Sequence, residues 1–280
     1  MKLTKDLLLN YFTIADPNNS HYSVATNTFD FVNRNSNTLL VTIGDSWTWG
    51  SDLTLNDDEE FRLDHVYGNI IADQLTADWL NLGQPGSNNF FIAEKTEELG
   101  QLISTLSYKK IYLICTFTEI GRSFNSHHDQ YIDYMSWFNQ TEIINKSDFY
   151  KFFDFLNSEC LKRIRSVVNT YNLELIIGTN FVDAIGINHD AGFLPMPWFR
   201  LLNIDCPITA YAGTTGVQKL ETMLQFIPNR LTSLFRLWFI DLVNQADCID
   251  KAALSPTLIK QHPRQSGHES WANYILESIK

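Results

Sequence analysis

Short apolar runs alternate along this chain with stretches of helical periodicity, and that alternation leaves few architectures open. Thr38-Leu39-Leu40-Val41-Thr42-Ile43 carries no charge, is rich in β-branched side chains and stops at Gly44-Asp45-Ser46. A run of this length and composition suits a strand buried on both faces, as in a parallel sheet. In the stretch from His65 to Leu75, Val66, Ile70, Ala72 and Leu75 recur at roughly helical spacing, and a short strand is predicted near Trp79 to Leu82. The turn Gly83-Gln84-Pro85-Gly86-Ser87-Asn88-Asn89 precedes a predicted helix from Phe90 to Leu106. Ile111 to Cys115 reads as a third strand, Phe149 to Tyr171 as a long amphipathic helix and Leu173 to Gly178 as a fourth strand. Strand and helix in this order predict an α/β fold, with a parallel sheet covered by helices on both faces.

The chain has 280 residues, 44% of them apolar, enough to bury a full core. Segments 120–148 and 183–250 interrupt the alternation, but no Gly/Ser-rich linker or shift of composition sets either apart. They read as insertions in a single domain spanning 1–280. A net charge of -11 with only 21 Lys and Arg argues against nucleic acid as a partner. The first ten residues are interrupted by Asp6 and Asn10 and do not read as a signal peptide. No apolar stretch approaches the roughly 18 residues that span a bilayer, so no membrane partner is expected and the chain is expected to be soluble. Cys115, Cys160, Cys206 and Cys248 are far apart and form no CxxC pair, which points to reduced, buried thiols and away from a zinc site. His127-His128-Asp129 has metal-ligand residue types but no third histidine nearby and reads as a solvated loop. The acidic run Asp57 to Glu60 lacks the glycine and spacing of a calcium loop and reads as a solvated, flexible stretch. Neither a metal nor an organic cofactor is expected.

Three loops carry residues suited to nucleophilic catalysis. Gly44-Asp45-Ser46 follows the first strand, at the carboxyl edge where open α/β sheets place their sites. A serine on a tight turn entering a helix projects its hydroxyl, and its own N–H can serve an oxyanion. The loop Asn81-Leu82-Gly83-Gln84-Pro85-Gly86-Ser87-Asn88 follows the next strand, and a glycine there lets the main chain aim an N–H at a reacting carbonyl. Near the C-terminus, Gln261-His262-Pro263 leads into a terminal helix, a position from which His262 can act as general base for a serine. His268 competes for that role, but its place at the helix entry suits capping or packing better.

In this order, the three elements resemble the SGNH (GDSL-like) hydrolase family. Block I corresponds to Gly44-Asp45-Ser46, block II to the Asn-Leu-Gly-x-Pro-Gly-Ser-Asn run, and block V to His262-Pro263 with downstream Gly267-His268. The extended versions, Gly44 to Gly50 and Pro85 to Asn89, look most like bacteriophage-type members. The resemblance implies a three-layer α/β/α sandwich with a mostly parallel, flavodoxin-like sheet. It also implies Ser46 as nucleophile, His262 as base, and the N–H groups of Ser46 and Gly86 as oxyanion donors.

Two positions depart from the family pattern. Where block III has an asparagine, this chain has Thr118, whose hydroxyl is expected to donate to the oxyanion in place of an amide. Neighbouring Glu119 is expected to turn away or pair with Arg122, itself a candidate substrate-facing cation. Three residues before His262, where the family commonly has the triad aspartate, stands Ile259. A backbone carbonyl can orient His262 in a Ser-His dyad, or Asp183, Asp247 or Asp250 can supply the acid from elsewhere. Trp47 and Trp49, with Trp198, Phe199 and Asn88, are candidates for lining the pocket, core packing being the alternative for the aromatics. The expected activity is a serine esterase on a small acyl ester, with O-acetyl groups on a carbohydrate as one substrate class. A catalytically silent binding or structural protein, including a virion component, and an O-acyltransferase are the alternatives. Location is expected to be cytoplasmic or virion-associated, and oligomeric assembly is left open.

Overall fold

A computed structural model of the chain describes residues 1–12, 29–51, 53, 59–85, 87–118, 146–180, 194, 198–201, 258–259, 262–263 and 265–279. Its five-stranded sheet has the order β1 (Asp30–Val32), β3 (Asp78–Asn81), β2 (Thr38–Ile43), β4 (Lys110–Phe117) and β5 (Glu174–Thr179). The last four are mutually parallel, with Val41 level with both Leu80 and Leu113. β1 runs antiparallel along the outer edge of β3, Phe31 opposite Leu80. Two further short strands, β6 (Leu258–Ile259) and β7 (His262–Pro263), pair antiparallel with each other.

The helices are α1 (Lys5–Tyr11), α2 (Ser46–Trp49), α3 (Glu59–His65), α4 (Tyr67–Gln74), α5 (Asn89–Ile103), α6 (Lys146–Tyr171), α7 (Trp198–Leu201) and α8 (Gln265–Ile279). The period-two geometry of a strand explains how they divide into layers. Leu39, Val41 and Ile43 of β2, with Ile111, Leu113, Cys115 and Phe117 of β4, face a core closed by α1, α5 and α6. Leu40 of β2, with Tyr112 and Ile114 of β4, faces the other core, closed by α4, α7 and α8. Both faces are buried, so β2 and β4 read as near-continuous apolar runs with no polar alternation. The expected α/β architecture is the one observed.

Sheet order also fixes where a site can form. β3 lies on one side of β2 and β4 on the other, so the connections leaving the carboxyl ends of β2 and β4 diverge, the place where open α/β sheets form their sites. Asp45, Ser46 and Thr118 stand at that edge.

Expected boundaries shift by one to three residues in most elements, and the region around residue 65 changes more. The predicted helix from His65 to Leu75 is α4 alone; its expected first residue, His65, ends the separate α3, and Val66 between the two is extended at φ -72 and ψ 137. Long-range contacts override the local periodicity on both sides of that break. Arg62 of α3 forms a two-pronged salt bridge with Asp30 at 2.8 and 2.9 Å. The first N–H of α4, from Tyr67, donates to His268 Nδ1 at 3.2 Å, so His268 does cap a helix, though not its own. Glu59 and Glu60, expected in a flexible stretch, instead form the first turn of α3, where the helix dipole favours acidic side chains.

Cys115 and Cys160 are buried free thiols, and burial pushes Cys115 up to about 12. Cys206, Cys248, His127 to Asp129 and most of both insertions lie outside the described residues. Among the described residues, no helix is long and apolar enough to cross a membrane, and no cluster of three metal-ligating side chains occurs.

The C-terminal helix docks through one close approach. The indole of Trp271 lies against Gly178 of β5, where an added Cβ would come within 2.5 Å of Trp271 Cζ2. Gly178→Ala should therefore cost about 1–3 kcal/mol through overpacking, read as a lower urea midpoint at unchanged slope. An unchanged midpoint would mean that α8 is not seated on β5 in this way.

Candidate active site

Leaving β2, the chain turns at Gly44, where a Cβ would collide with Thr48 Oγ1 at 2.1 Å. Asp45 is the N-cap of α2, and its Oδ1 accepts from Trp47 N at 2.9 Å. Ser46 is the first residue of that single turn and is 5% exposed. The turn ends at Gly50 in the left-handed conformation, with Gly50 N and Ser51 N both donating to Ser46 O. From below, Tyr67 Oη approaches Thr48 Oγ1 at 3.4 Å and Thr116 Oγ1 at 3.1 Å, and burial pushes the phenol well above its ordinary pKa.

Asp45 does more than cap. Its carboxylate is fully buried and accepts two further side-chain bonds, from Asn180 Nδ2 to Oδ1 at 2.8 Å and from Thr118 Oγ1 to Oδ2 at 2.9 Å. The ends of β2, β4 and β5 thereby meet on one carboxylate. Buried carboxylates are tolerated when both oxygens are supplied with donors, as here.

The second loop is bolted to the first. Leu82 N donates to Thr42 O, Gln84 N to Gly44 O and Ser87 Oγ to Gly44 O, all between 2.8 and 2.9 Å. Gly83 lies so close to α2 that a Cβ would come within 2.7 Å of Trp49 N. Asn88 caps α5 through Phe91 N at 2.9 Å. Gly86 lies outside the described residues.

The third loop arrives from the C-terminus. β7, with His262 level with Ile259 of β6, has Cα atoms within 8 Å of those of α2. An aromatic cluster holds it there. Trp198 meets Trp47 and Tyr67 edge-on at 5.2 and 5.1 Å, stacks on Trp271 at 5.3 Å and donates through Nε1 to Gly267 O at 3.1 Å. His268 lies edge-on to Trp198 and stacked on Tyr67, and since Nδ1 accepts a bond, its ring proton sits on Nε2. For His262 itself the structure describes the backbone alone.

Two expectations change. Thr118 was expected to donate to an oxyanion, but its single hydroxyl proton goes to Asp45. Trp47 was a pocket candidate and is a core residue packed against Trp198. Trp49 stays half-buried under the Arg62 guanidinium, 4.1 Å above its ring. Arg122, Asp183, Asp247 and Asp250 lie outside the described residues. Asn180 had no signal in the sequence, because nothing local links a residue after the fourth parallel strand to Asp45, 135 positions earlier.

Among solved structures, the chain is similar to a member of the lipolytic protein G-D-S-L family from Veillonella parvula. That pair shares 15% identity over 86% of this chain and 97% of the other, at a TM-score of 0.35. It is also similar to the lipase Lip_vut3 from a goat rumen metagenome, with 11% identity, the same coverage and a TM-score of 0.40. No protein-family model matches the chain, and no curated protein does.

Asp45→Ala removes the cap of α2 and leaves three buried donors without an acceptor, so it should lower unfolding free energy by about 2–4 kcal/mol. Urea denaturation measures it, and a loss below about 0.5 kcal/mol would contradict the buried network.

Proposed function

We propose that this chain is a serine esterase in which Ser46 attacks the carbonyl carbon of a small acyl ester. The carrying observation is the meeting of α2, which begins at Ser46, with β7, which bears His262, at the carboxyl end of β2. In this reading His262 takes the Ser46 hydroxyl proton as the oxygen bonds to carbon, and returns it to the departing alkoxide. Water then repeats the sequence on the acyl-enzyme and releases the acid. Because the Thr118 hydroxyl is engaged by Asp45, oxyanion binding falls to the backbone N–H groups of Ser46 and Gly86.

The resemblance of Gly44-Asp45-Ser46, the Gly83 to Asn88 loop and His262-Pro263 to the SGNH hydrolases supports the same assignment. A short acyl group, such as an O-acetyl on a carbohydrate, suits a serine only 5% exposed. With Ile259 where the family's acid commonly stands, the proposed machinery is a Ser-His dyad, or a triad completed by Asp183, Asp247 or Asp250. A silent scaffold is the competing reading, favoured by the diversion of Thr118 to Asp45.

Hydrolysis of p-nitrophenyl acetate separates the two. Ser46→Ala and His262→Ala should each lower kcat/KM by about 10³-fold or more while the circular dichroism spectrum stays unchanged. Rates in both variants equal to that of the parent protein would eliminate the esterase reading.

A further inference from the structure

Asn180 stands just beyond β5, anchored by its own N–H to Phe117 O at 2.9 Å, and its side chain is wholly buried. One end of its amide donates to Asp45 Oδ1 at 2.8 Å. The other end, Oδ1, has no hydrogen-bond partner among the described residues. A buried carbonyl oxygen without a donor destabilises the fold, and an apolar residue at the end of a strand would avoid that loss. The amide cannot turn over to relieve it, because Oδ1 would then face the Asp45 carboxylate. What the arrangement preserves is the single bond to Asp45.

That bond lands on the oxygen that also caps α2. Asp45 Oδ1 accepts from both Trp47 N and Asn180 Nδ2, while Thr118 holds Oδ2. Three donors from three segments fix the carboxylate's position and its rotation about Cβ–Cγ. Ser46 lies between the capping residue and the capped N–H, so its oxygen and its N–H inherit that alignment. We infer that Asn180 is a positioning residue for the nucleophile, acting through Asp45 to hold the first turn of α2 in its reactive geometry. This inference rests on the esterase reading of Ser46.

Replacing the amide by a carboxyl makes the contact titratable. In Asn180→Asp, two carboxyls meet at a distance suited to sharing one proton. Below the raised second pKa of the pair, the shared proton restores a donor to Asp45 Oδ1, whereas above it two negative charges repel. Among the described residues, Tyr67 and Cys115 stand near Asp45 and its support, and burial keeps both protonated through the neutral range.

The experiment measures kcat and KM for p-nitrophenyl acetate in the full-length parent, Asn180→Ala and Asn180→Asp from pH 5.5 to 8.5, with circular dichroism at each pH. Asn180→Ala should lower kcat about 10–100-fold at unchanged KM, the mark of a misplaced reacting group. Asn180→Asp, expressed as a ratio to the parent at the same pH, should recover about tenfold or more between pH 8.5 and pH 5.5. A purely structural role would move the folded fraction and leave that ratio flat among folded molecules. If Asn180→Ala fails to fold, the Asn180→Asp ratio decides alone. A parent-like kcat in Asn180→Ala, or a flat ratio in Asn180→Asp, overturns the positioning role and leaves the esterase reading intact. A parent protein whose activity is indifferent to Ser46→Ala overturns both.

Discussion

A charge buried at the edge of the sheet, the carboxylate of Asp45, organises the rest of the candidate site. Such a group can remain in the interior only if its oxygens are supplied with donors, and those come from the helix it caps, from the residue after β4 and from the residue after β5. One requirement of solvation thus sets the relative position of three strand ends. Gly44 admits Thr48 of its own loop and Gly83 admits Trp49 of the neighbouring one, each where an added side chain would collide.

The C-terminal segment is held by different physics. Trp198 sits at the centre of an aromatic cluster that includes Trp47 from α2, Tyr67 from α4, and His268 and Trp271 from α8. Its indole N–H finishes on Gly267 O, at the head of the helix that follows His262-Pro263. Apolar burial with edge and stacking contacts seats α8, the helix that follows β7, and the hydrogen bond from Tyr67 N to His268 Nδ1 adds direction. Trp47 belongs to both systems. Its N–H is capped by Asp45 and its ring packs on Trp198, so the turn that begins at Ser46 and the aromatic cluster share one residue.

Strands buried on both faces declare themselves as apolar runs, and for that reason β2, β4 and β5 were legible from the chain alone. The three-residue β1 was not, because it is too short to show a period and depends on pairing with β3. The break at Val66 was hidden for a related reason: the partners flanking it, Asp30 and His268, lie far away in sequence. At the site, α2, which begins at Ser46, and β7, which carries His262, have Cα atoms within 8 Å of one another. Thr118 stood at the expected edge yet donates to Asp45, a partner that only the tertiary arrangement reveals. Asn180 left no trace in local pattern, since its one contact crosses 135 positions.

Covalent modification by a fluorophosphonate probe, with the adduct mapped by mass spectrometry, tests the central claim most directly. A serine aligned with a base and oxyanion donors reacts with such a phosphorus centre, whereas an ordinary hydroxyl does not. The account predicts a single adduct on Ser46, abolished when His262 is replaced by alanine. Folded protein that stays unmodified at Ser46, or carries the adduct on another residue, would contradict it.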